Sequence, residues 1–305
     1  MPMEFYSQIS KNKQMTYLLF LIFFVLIGFL ALVISFILGS FFGGALSFLS
    51  LFGFLIIIFA IISYYSCGSI VTAISGAKEA DPKKFKQLYN VVEELCIASG
   101  LPMPKVFVID DSAINAFATG RDPKNAIVCV TTGCLSRLNR EELQGVIAHE
   151  LSHVRYYDIR TMTIASVLVG ITVLLSDLIL RMFLFSGSNR SDSRDSGAFF
   201  IVIIIIGIAL AVLTPIIAQI INFSISRKRE FAADAGSAEI TRNPLGLASA
   251  LEKISKDKEP LEAANKATAH LYIANPLKGQ KLWMSSLFST HPDINQRIAA
   301  LKGMK

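Results

Sequence analysis

Between Lys13 and Lys78 the chain carries no Asp, Glu, Lys or Arg, an uncharged run of 64 residues. As one helix it would extend roughly 96 Å at about 1.5 Å per residue, some three times the hydrocarbon core of a bilayer. The run must therefore be cut into more than one membrane-crossing piece. Composition agrees: hydrophobic residues make up 53% and charged residues 17%, against about 45–50% and about 25% in soluble domains. An ordinary cytosolic protein is excluded. Intrinsic disorder is excluded too, because apolar and aromatic content are both high.

Four segments approach the roughly 20 residues that a spanning helix needs: 17–38, 45–66, 159–180 and 198–221. The glycines at Gly39, Gly43 and Gly44 suit a tight connection between the first two. Lys11 and Lys13 precede the first span, Lys78, Lys83, Lys84 and Lys86 follow the second, and Arg227, Lys228 and Arg229 follow the fourth. The positive-inside rule then puts both termini, the segment after the second span and the tail in the cytoplasm. Asp177 and Arg181, spaced i,i+4, read as an interfacial pair near the outer end of the third span. The N-terminal apolar run is too long for a cleavable signal.

The expected organisation is a transmembrane hairpin at 1–74, a first catalytic part at 75–158, a second hairpin at 159–222 and a second catalytic part at 223–305. The fold class is a mainly α membrane protein with four transmembrane helices and a cytoplasmic α+β domain holding a small sheet. The net charge of +6 accompanies the membrane flanks, and no nucleic-acid-binding signature is present. Cys67, Cys96, Cys129 and Cys134 lack C-x-x-C spacing and read as reduced thiols.

Within the soluble part, Asp81-Pro82 reads as the start of a helix with Leu88, Val91, Val92 and Leu95 inward and Gly100 at its end. Segments 105–109, 115–118 and 126–131 read as strands. Asn139 and Glu142 form a capping-box pattern opening a helix that runs to about Asp158. Further helices are expected over 229–240, from Asn243-Pro244, and from Thr290-His291-Pro292 with Ile294, Ile298 and Leu301 on one face.

His149-Glu150-Leu151-Ser152-His153 falls on the capped helix. Residues at i and i+4 share a helix face, so two imidazoles can hold one Zn²⁺. Glu150 is placed to act as general base on a water at that ion. A catalytic zinc usually has three protein ligands and an open position. The downstream histidine of metzincins is missing, since Tyr156 and Tyr157 follow. A glutamate on another helix is the expectation, and Glu230 is the best candidate: it follows the fourth span as His153 precedes the third, and small residues Ala232, Ala233, Ala235 and Gly236 surround it. Glu239, Glu252 and Glu262 remain as alternatives, and Glu230 can also be read as a solvated charge in an Arg-Lys-Arg-Glu cluster. Asp234, at i+4 from Glu230, can accept the second ring N–H of a ligating histidine.

These motifs resemble those of the HtpX-type membrane zinc metalloproteases, gluzincins related to the CAAX prenyl proteases. The resemblance covers nearly the whole chain. It includes Asn115-Ala116-Phe117-Ala118-Thr119-Gly120, the H-E-x-x-H helix, the Arg-x-x-Glu-Phe-x-Ala-Asp pattern at 227–234, Asn275-Pro276-Leu277 and Ser289-Thr290-His291-Pro292. It implies one Zn²⁺ per chain held by His149, His153 and Glu230, with Glu150 catalytic. It implies that Asn115, Ala116, Phe117 and Ala118 form an edge strand to which a substrate peptide adds, and that His291 stabilises the oxyanion. His270 has no such match and reads as structural. The implied function is endopeptidase cleavage of misfolded or damaged membrane proteins at the cytoplasmic face of the bacterial inner membrane. The partners would be protein substrates, the lipid bilayer and other membrane quality-control proteases, with no nucleic acid.

Three other functions compete. A CAAX-type prenyl-protein processing protease shares the site but typically has more spans. A silent zinc-stabilised scaffold has no need of Glu150. A transporter needs polar or broken helices at mid-membrane, for which Thr214-Pro215 is nearly the sole candidate.

Overall fold

The computed structural model of the chain describes residues 44–167, 227–257, 259–262, 268–274 and 292–304, with single positions at 10, 14, 17, 18, 21, 25, 28, 32, 204, 205 and 207. The described part is rich in helix and contains one small mixed sheet. The sheet has the order β1-β2-β4-β3, with β1 at Lys78–Glu79, β2 at Lys105–Ile109, β3 at Ala116–Gly120 and β4 at Ala126–Thr131. β2 and β4 are parallel, with Lys105 opposite Ile127 and Ile109 opposite Thr131; the other two pairs are antiparallel. Two residues are too few to show alternation, so the sequence pattern carries no sign of β1. The strand expected over 115–118 begins at Ala116 and continues to Gly120.

Side chains alternate across the sheet, and both faces are covered. Val106, Val108, Ala116, Ala118, Val128 and Val130 join a core with Leu88 and Leu95 of the Lys86–Ser99 helix and Leu143, Ile147 and Leu151 of the Arg140–Arg155 helix. Ile109, Phe117, Ile127 and Cys129 face a second core with Cys67 and Val71 of the Ala45–Ile74 helix and Met162 and Ala165 of a helix over 158–167. The helices Arg227–Thr241, Pro244–Lys256 and Ile294–Lys302 complete the first layer.

Several boundaries differ from expectation. The first soluble helix begins at Lys86, not at Pro82. Residues 82–85 form a turn in which Asp81 accepts from the Lys83 N–H through its side chain (2.8 Å) and from the Phe85 N–H through its carbonyl (2.9 Å). The Arg140–Arg155 helix stops before Asp158, because Tyr157 turns to φ 61° and a new helix starts after it. The last helix starts at Ile294, capped by the Asp293 side chain accepting from the Asn295 N–H at 2.9 Å.

The Ala45–Ile74 helix passes the expected end at residue 66 because Cys67 and Val71 are buried against the sheet. Leu46, Phe54, Ile57, Ile61 and Tyr65 are exposed along its earlier part. Among the described residues no single helix is long and apolar enough to cross a membrane; the pair Gly53–Phe59 and Ile61–Ile74, bent by 41°, meets that length and composition together. The expected spans at 17–38 and 198–221 fall on positions described only singly. The one at 159–180 is described to residue 167, so Asp177 and Arg181 lie outside the described residues.

Candidate metal centre

The Arg140–Arg155 helix is built to start sharply and to lie in the core. The Asn139 side chain accepts from the Glu142 N–H (2.9 Å), and the Glu142 carboxylate accepts from the Asn139 N–H (2.8 Å). Every residue from Gly145 to Val154 is buried. Two glycines let neighbouring helices come this close. A Cβ on Gly145 would lie 2.6 Å from the Leu247 backbone nitrogen, and one on Gly236 would lie 2.5 Å from the Ser152 hydroxyl. Ser237 then donates to the Gly145 carbonyl at 2.8 Å. Contact with the Arg227–Thr241 helix thus runs through Ala233, Gly236 and Ser237. Ala235, expected on this face, is exposed.

At i and i+4 on that helix, His149 and His153 bring their Nε2 atoms to 3.3 Å, with the rings edge to face at 4.8 Å. Glu230 is buried opposite them. Its Oε2 lies 3.7 Å from His149 Nε2, and its Oε1 lies 3.5 Å from His153 Nε2. Among the described residues these three form the one such group able to hold a metal ion, with ligand atoms within 4.8 Å of one another. Of the alternatives, Glu239 pairs with Arg155, Glu252 pairs with Lys302, and the Glu262 N–H donates to Asp111.

Both imidazoles have their outer nitrogen fixed. His149 Nδ1 lies 3.0 Å from Asp234 Oδ1, and His153 Nδ1 lies 3.1 Å from Asp158 Oδ2. In the neutral imidazole that binds a metal, a donated Nδ1–H leaves Nε2 as an acceptor aimed at the shared space. Asp158 escapes the sequence reading because it lies beyond the Tyr157 turn; an acid five positions after the second histidine was its only signal. Arg297 is also new. It is 1% exposed, forks onto Asp234 (2.9 and 2.7 Å), lies 3.2 Å from Glu230 Oε2 and donates to the Ile273 carbonyl at 3.1 Å. Its signal was a basic residue on the same helix face as Ile294, Ile298 and Leu301.

The electrostatics follow from this packing. Burial alone would lower the His153 pKa, but the Asp158 hydrogen bond and the charges of Glu230, Asp158 and Glu150 raise it to about 9. Burial opposes ionisation of Asp234, yet the His149 contact and the Arg297 charge hold its carboxyl well below the usual range. Glu150 is pushed up, first by burial and then by the charge of Glu230, against the pull of both histidines. Its Oε1 accepts no hydrogen bond among the described residues.

Beside Glu150 lies β3, at the end of the sheet. The Thr131 N–H donates to the Asn115 carbonyl, so alternation turns the polar groups of Ala116, Ala118 and Gly120 away from β4. The Ala118 N–H contacts the Glu150 carboxylate. The edge is partly covered: the Ile273 N–H donates to the Ala116 carbonyl (3.0 Å), and Gly120 N–H donates to Thr163 Oγ1 (3.0 Å). Asn115 does not face the histidines; its Nδ2 donates to the Ala274 carbonyl at 3.1 Å. Phe117 is on the opposite sheet face, edge to face with Tyr272 at 5.0 Å. His270 is buried against the Met162 carbonyl and Ser166 Oγ, both at 3.1 Å. His291 and the segment 275–277 lie outside the described residues.

The donor set fits zinc. Two ligands about 2.0–2.1 Å from a tetrahedral Zn²⁺ sit roughly 3.3 Å apart, and the paired Nε2 atoms have that separation. Glu150 lies beside this set with Oε1 accepting no hydrogen bond among the described residues.

The description of peptidase family M48 matches residues 82–305. The chain is 44% identical over 308 residues to a protease HtpX homolog of Dictyoglomus thermophilum, covering 99% of this chain and 96% of that one. It is 44% identical over 302 residues to one of Thermoanaerobacter pseudethanolicus (98% and 97% covered), and 42% identical over 303 residues to one of Streptococcus thermophilus (98% and 99% covered). The crystal structure of S. mikatae Ste24p aligns with a TM-score of 0.48 at 20% identity, over 96% of this chain and 66% of that chain.

Proposed function

The chain belongs to peptidase family M48 and is a metalloprotease acting on peptide bonds, and from that premise we propose that it is a zinc-dependent endopeptidase of the membrane. The observation that carries the reading is the buried convergence of His149 Nε2, His153 Nε2 and the Glu230 carboxylate beside Glu150, whose Oε1 accepts no hydrogen bond among the described residues. His149, His153 and Glu230 would be the ligands of one Zn²⁺. A zinc ion held there supplies Lewis acidity, polarising carbonyl oxygens and acidifying water.

The chain's own residues do the rest. Asp234 and Asp158 hold the Nδ1 protons of His149 and His153, which fixes the tautomer each ligand needs. Glu150, its affinity for a proton raised by burial, takes a proton from the attacking water and delivers it to the leaving nitrogen. The extended substrate is placed on the outer edge of Ala116–Ala118, a mode that tolerates many sequences. It pairs there by displacing the bonds that Ala116 makes to Asn115 Oδ1 and the Ile273 N–H and that the Ala118 N–H makes to Glu150. His291 is assigned the oxyanion on sequence grounds alone.

The substrates are exposed segments of misfolded or damaged membrane proteins at the cytoplasmic face of the bacterial inner membrane, and the protein acts alongside other quality-control proteases. Four spans, at 17–38, 45–66, 159–180 and 198–221, with both termini cytoplasmic, are part of the proposal. It is supported by the placement of Lys and Arg and by the exposed apolar residues of the Ala45–Ile74 helix. The experiment is metal content and casein cleavage in detergent, wild type against Glu150→Gln. The variant should keep its zinc and lose about 10²–10⁴-fold in turnover. Near-wild-type cleavage by Glu150→Gln would reject the mechanism.

A further inference from the structure

Arg297 is a full cation in a nearly sealed site, contributed by the last helix. A buried arginine is tolerated only when its fork is matched by partners, and the partners here fall into two groups. On one side are the carboxylates beside the histidines. Nε and Nη2 grip Asp234 as a bidentate pair (2.9 and 2.7 Å), while Nη1 lies 3.2 Å from Glu230 Oε2. Oε1 of Glu230 is the oxygen that faces His153. On the other side Nη1 donates to the Ile273 carbonyl at 3.1 Å.

Ile273 is itself a junction. Its N–H donates to the Ala116 carbonyl, on the outer edge of β3. The next carbonyl, of Ala274, accepts from Asn115 Nδ2. Tyr272 on its other flank packs against Phe117 of the same strand. The 272–274 segment therefore lies along the start of the edge that the proposed mechanism offers to substrate. Its side chains are packed in the two cores, and its Ile273 carbonyl is held by the guanidinium that also grips Asp234 and pairs with Glu230.

We propose that Arg297 is a positioning residue that links the metal ligands to the substrate edge. The proposal rests on the metalloprotease site described above. The same planar group pairs with Glu230 and meets His149 both through Asp234 and directly, its Nη2 lying 3.4 Å from each ring nitrogen. It also sets how closely residues 272–274 cover Ala116. A peptide that pairs with the edge must move Ile273, and that movement pulls on Glu230 and Asp234. Lysine in this place would keep a charge but has no planar fork, so it can satisfy one side only.

The test uses the full-length protein in detergent, loaded with Co²⁺ as the probe, with affinity read by chelator competition and ligand geometry by the visible absorption of the cobalt. The edge-side variant Asn115→Ala touches none of the proposed ligands. It should shift the cobalt bands and weaken Co²⁺ binding several-fold. Arg297→Lys should weaken it by about 10–100-fold, the range for lost outer contacts, and raise KM as well as lower kcat. In the Arg297→Lys background, Asn115→Ala should have no further effect on the cobalt bands. Unmoved bands and affinity in Asn115→Ala alone would overturn the linkage, whether or not Arg297→Lys folds. Arg297→Lys with wild-type Co²⁺ affinity and KM would overturn it too. A wild-type protein that binds no Co²⁺ and no Zn²⁺ would instead refute the metal site itself.

Discussion

Glu142 and Glu150 sit on one helix, two turns apart, and each is 2% exposed. They have opposite environments. Glu142 accepts from the Asn139 N–H at 2.8 Å, Ser249 Oγ at 2.7 Å and Lys253 Nζ at 2.6 Å. Burial would raise its pKa, but Lys253, Ser249 and Asn139 bring it below the ordinary value. Glu150 has an oxygen with no hydrogen bond among the described residues, and its pKa is raised, first of all by its deeper burial. Glu142 lies near the surface against the half-exposed Lys253, whereas Glu150 lies deep in the core, so partners and depth together decide what each carboxylate does. The first end of the helix uses its carboxylate for anchorage. The second leaves one carboxylate oxygen without such an anchor among the described residues.

The largest effect should come from removing the groups that surround Glu150. His149→Ala, His153→Ala and Glu230→Ala should each lose stoichiometric zinc, measured by metal analysis, with proteolysis at background. The matching change at the anchoring end, Lys253→Ala, should leave zinc content at the wild-type ratio. Retention of zinc at wild-type affinity by Glu230→Ala would move the third ligand elsewhere.

A smaller effect is expected from Asp158→Asn, which keeps the shape of the side chain beside His153 but weakens its hold on the Nδ1 proton. Zinc affinity should fall about 10–100-fold, as is usual for outer contacts of metal-bound histidines. Competition with a chelator measures it.

Glu142→Gln should have the smallest effect and should reverse the contrast. Stability should drop by about 1–2 kcal/mol, read by thermal or denaturant melts, with turnover per folded molecule unchanged. The sign with pH follows from the lowered pKa of Glu142. Its contribution is present above the unfolded value of about 4.3 and is lost as pH falls through the folded one. The gap between wild type and Glu142→Gln should therefore close in acid. A gap that persists below both values would mean that the amide disturbs packing and not charge.

The two ends also differ in how far the sequence foretells them. Asn139, Glu142, His149, Glu150 and His153 lie within 15 consecutive residues, where helix periodicity makes their relative placement a local matter. Glu230 was reachable by argument, because a site with two histidines needs another ligand. Asp158 was hidden by the left-handed Tyr157, a backbone state for which a tyrosine gives no warning. Arg297 reaches Asp234 from 63 positions away, and no period connects them. The sheet shows the same division: β2 and β4 follow from their apolar runs, while β1 depends on pairing with β2. The capping of Ala116 by Ile273 is likewise a product of tertiary contact.

Gly145 and Gly236 do no chemistry, yet they determine how much sequence change the chain can absorb. Gly236 sets the approach of the helix that carries Glu230 to the one that carries both histidines. A methyl group there meets the Ser152 hydroxyl at 2.5 Å and its Cβ at 2.9 Å, so accommodation requires the helices to part by something on the order of 1 Å. Displacements of that size are enough to cost about 10²-fold in a catalytic rate. Drift at a position with no side chain is thus constrained about as tightly as drift at a ligand. In a library of single substitutions sorted for activity, Gly236 should fall among the intolerant positions, whereas Ala235 beside it, exposed to solvent, should accept nearly anything compatible with a helix.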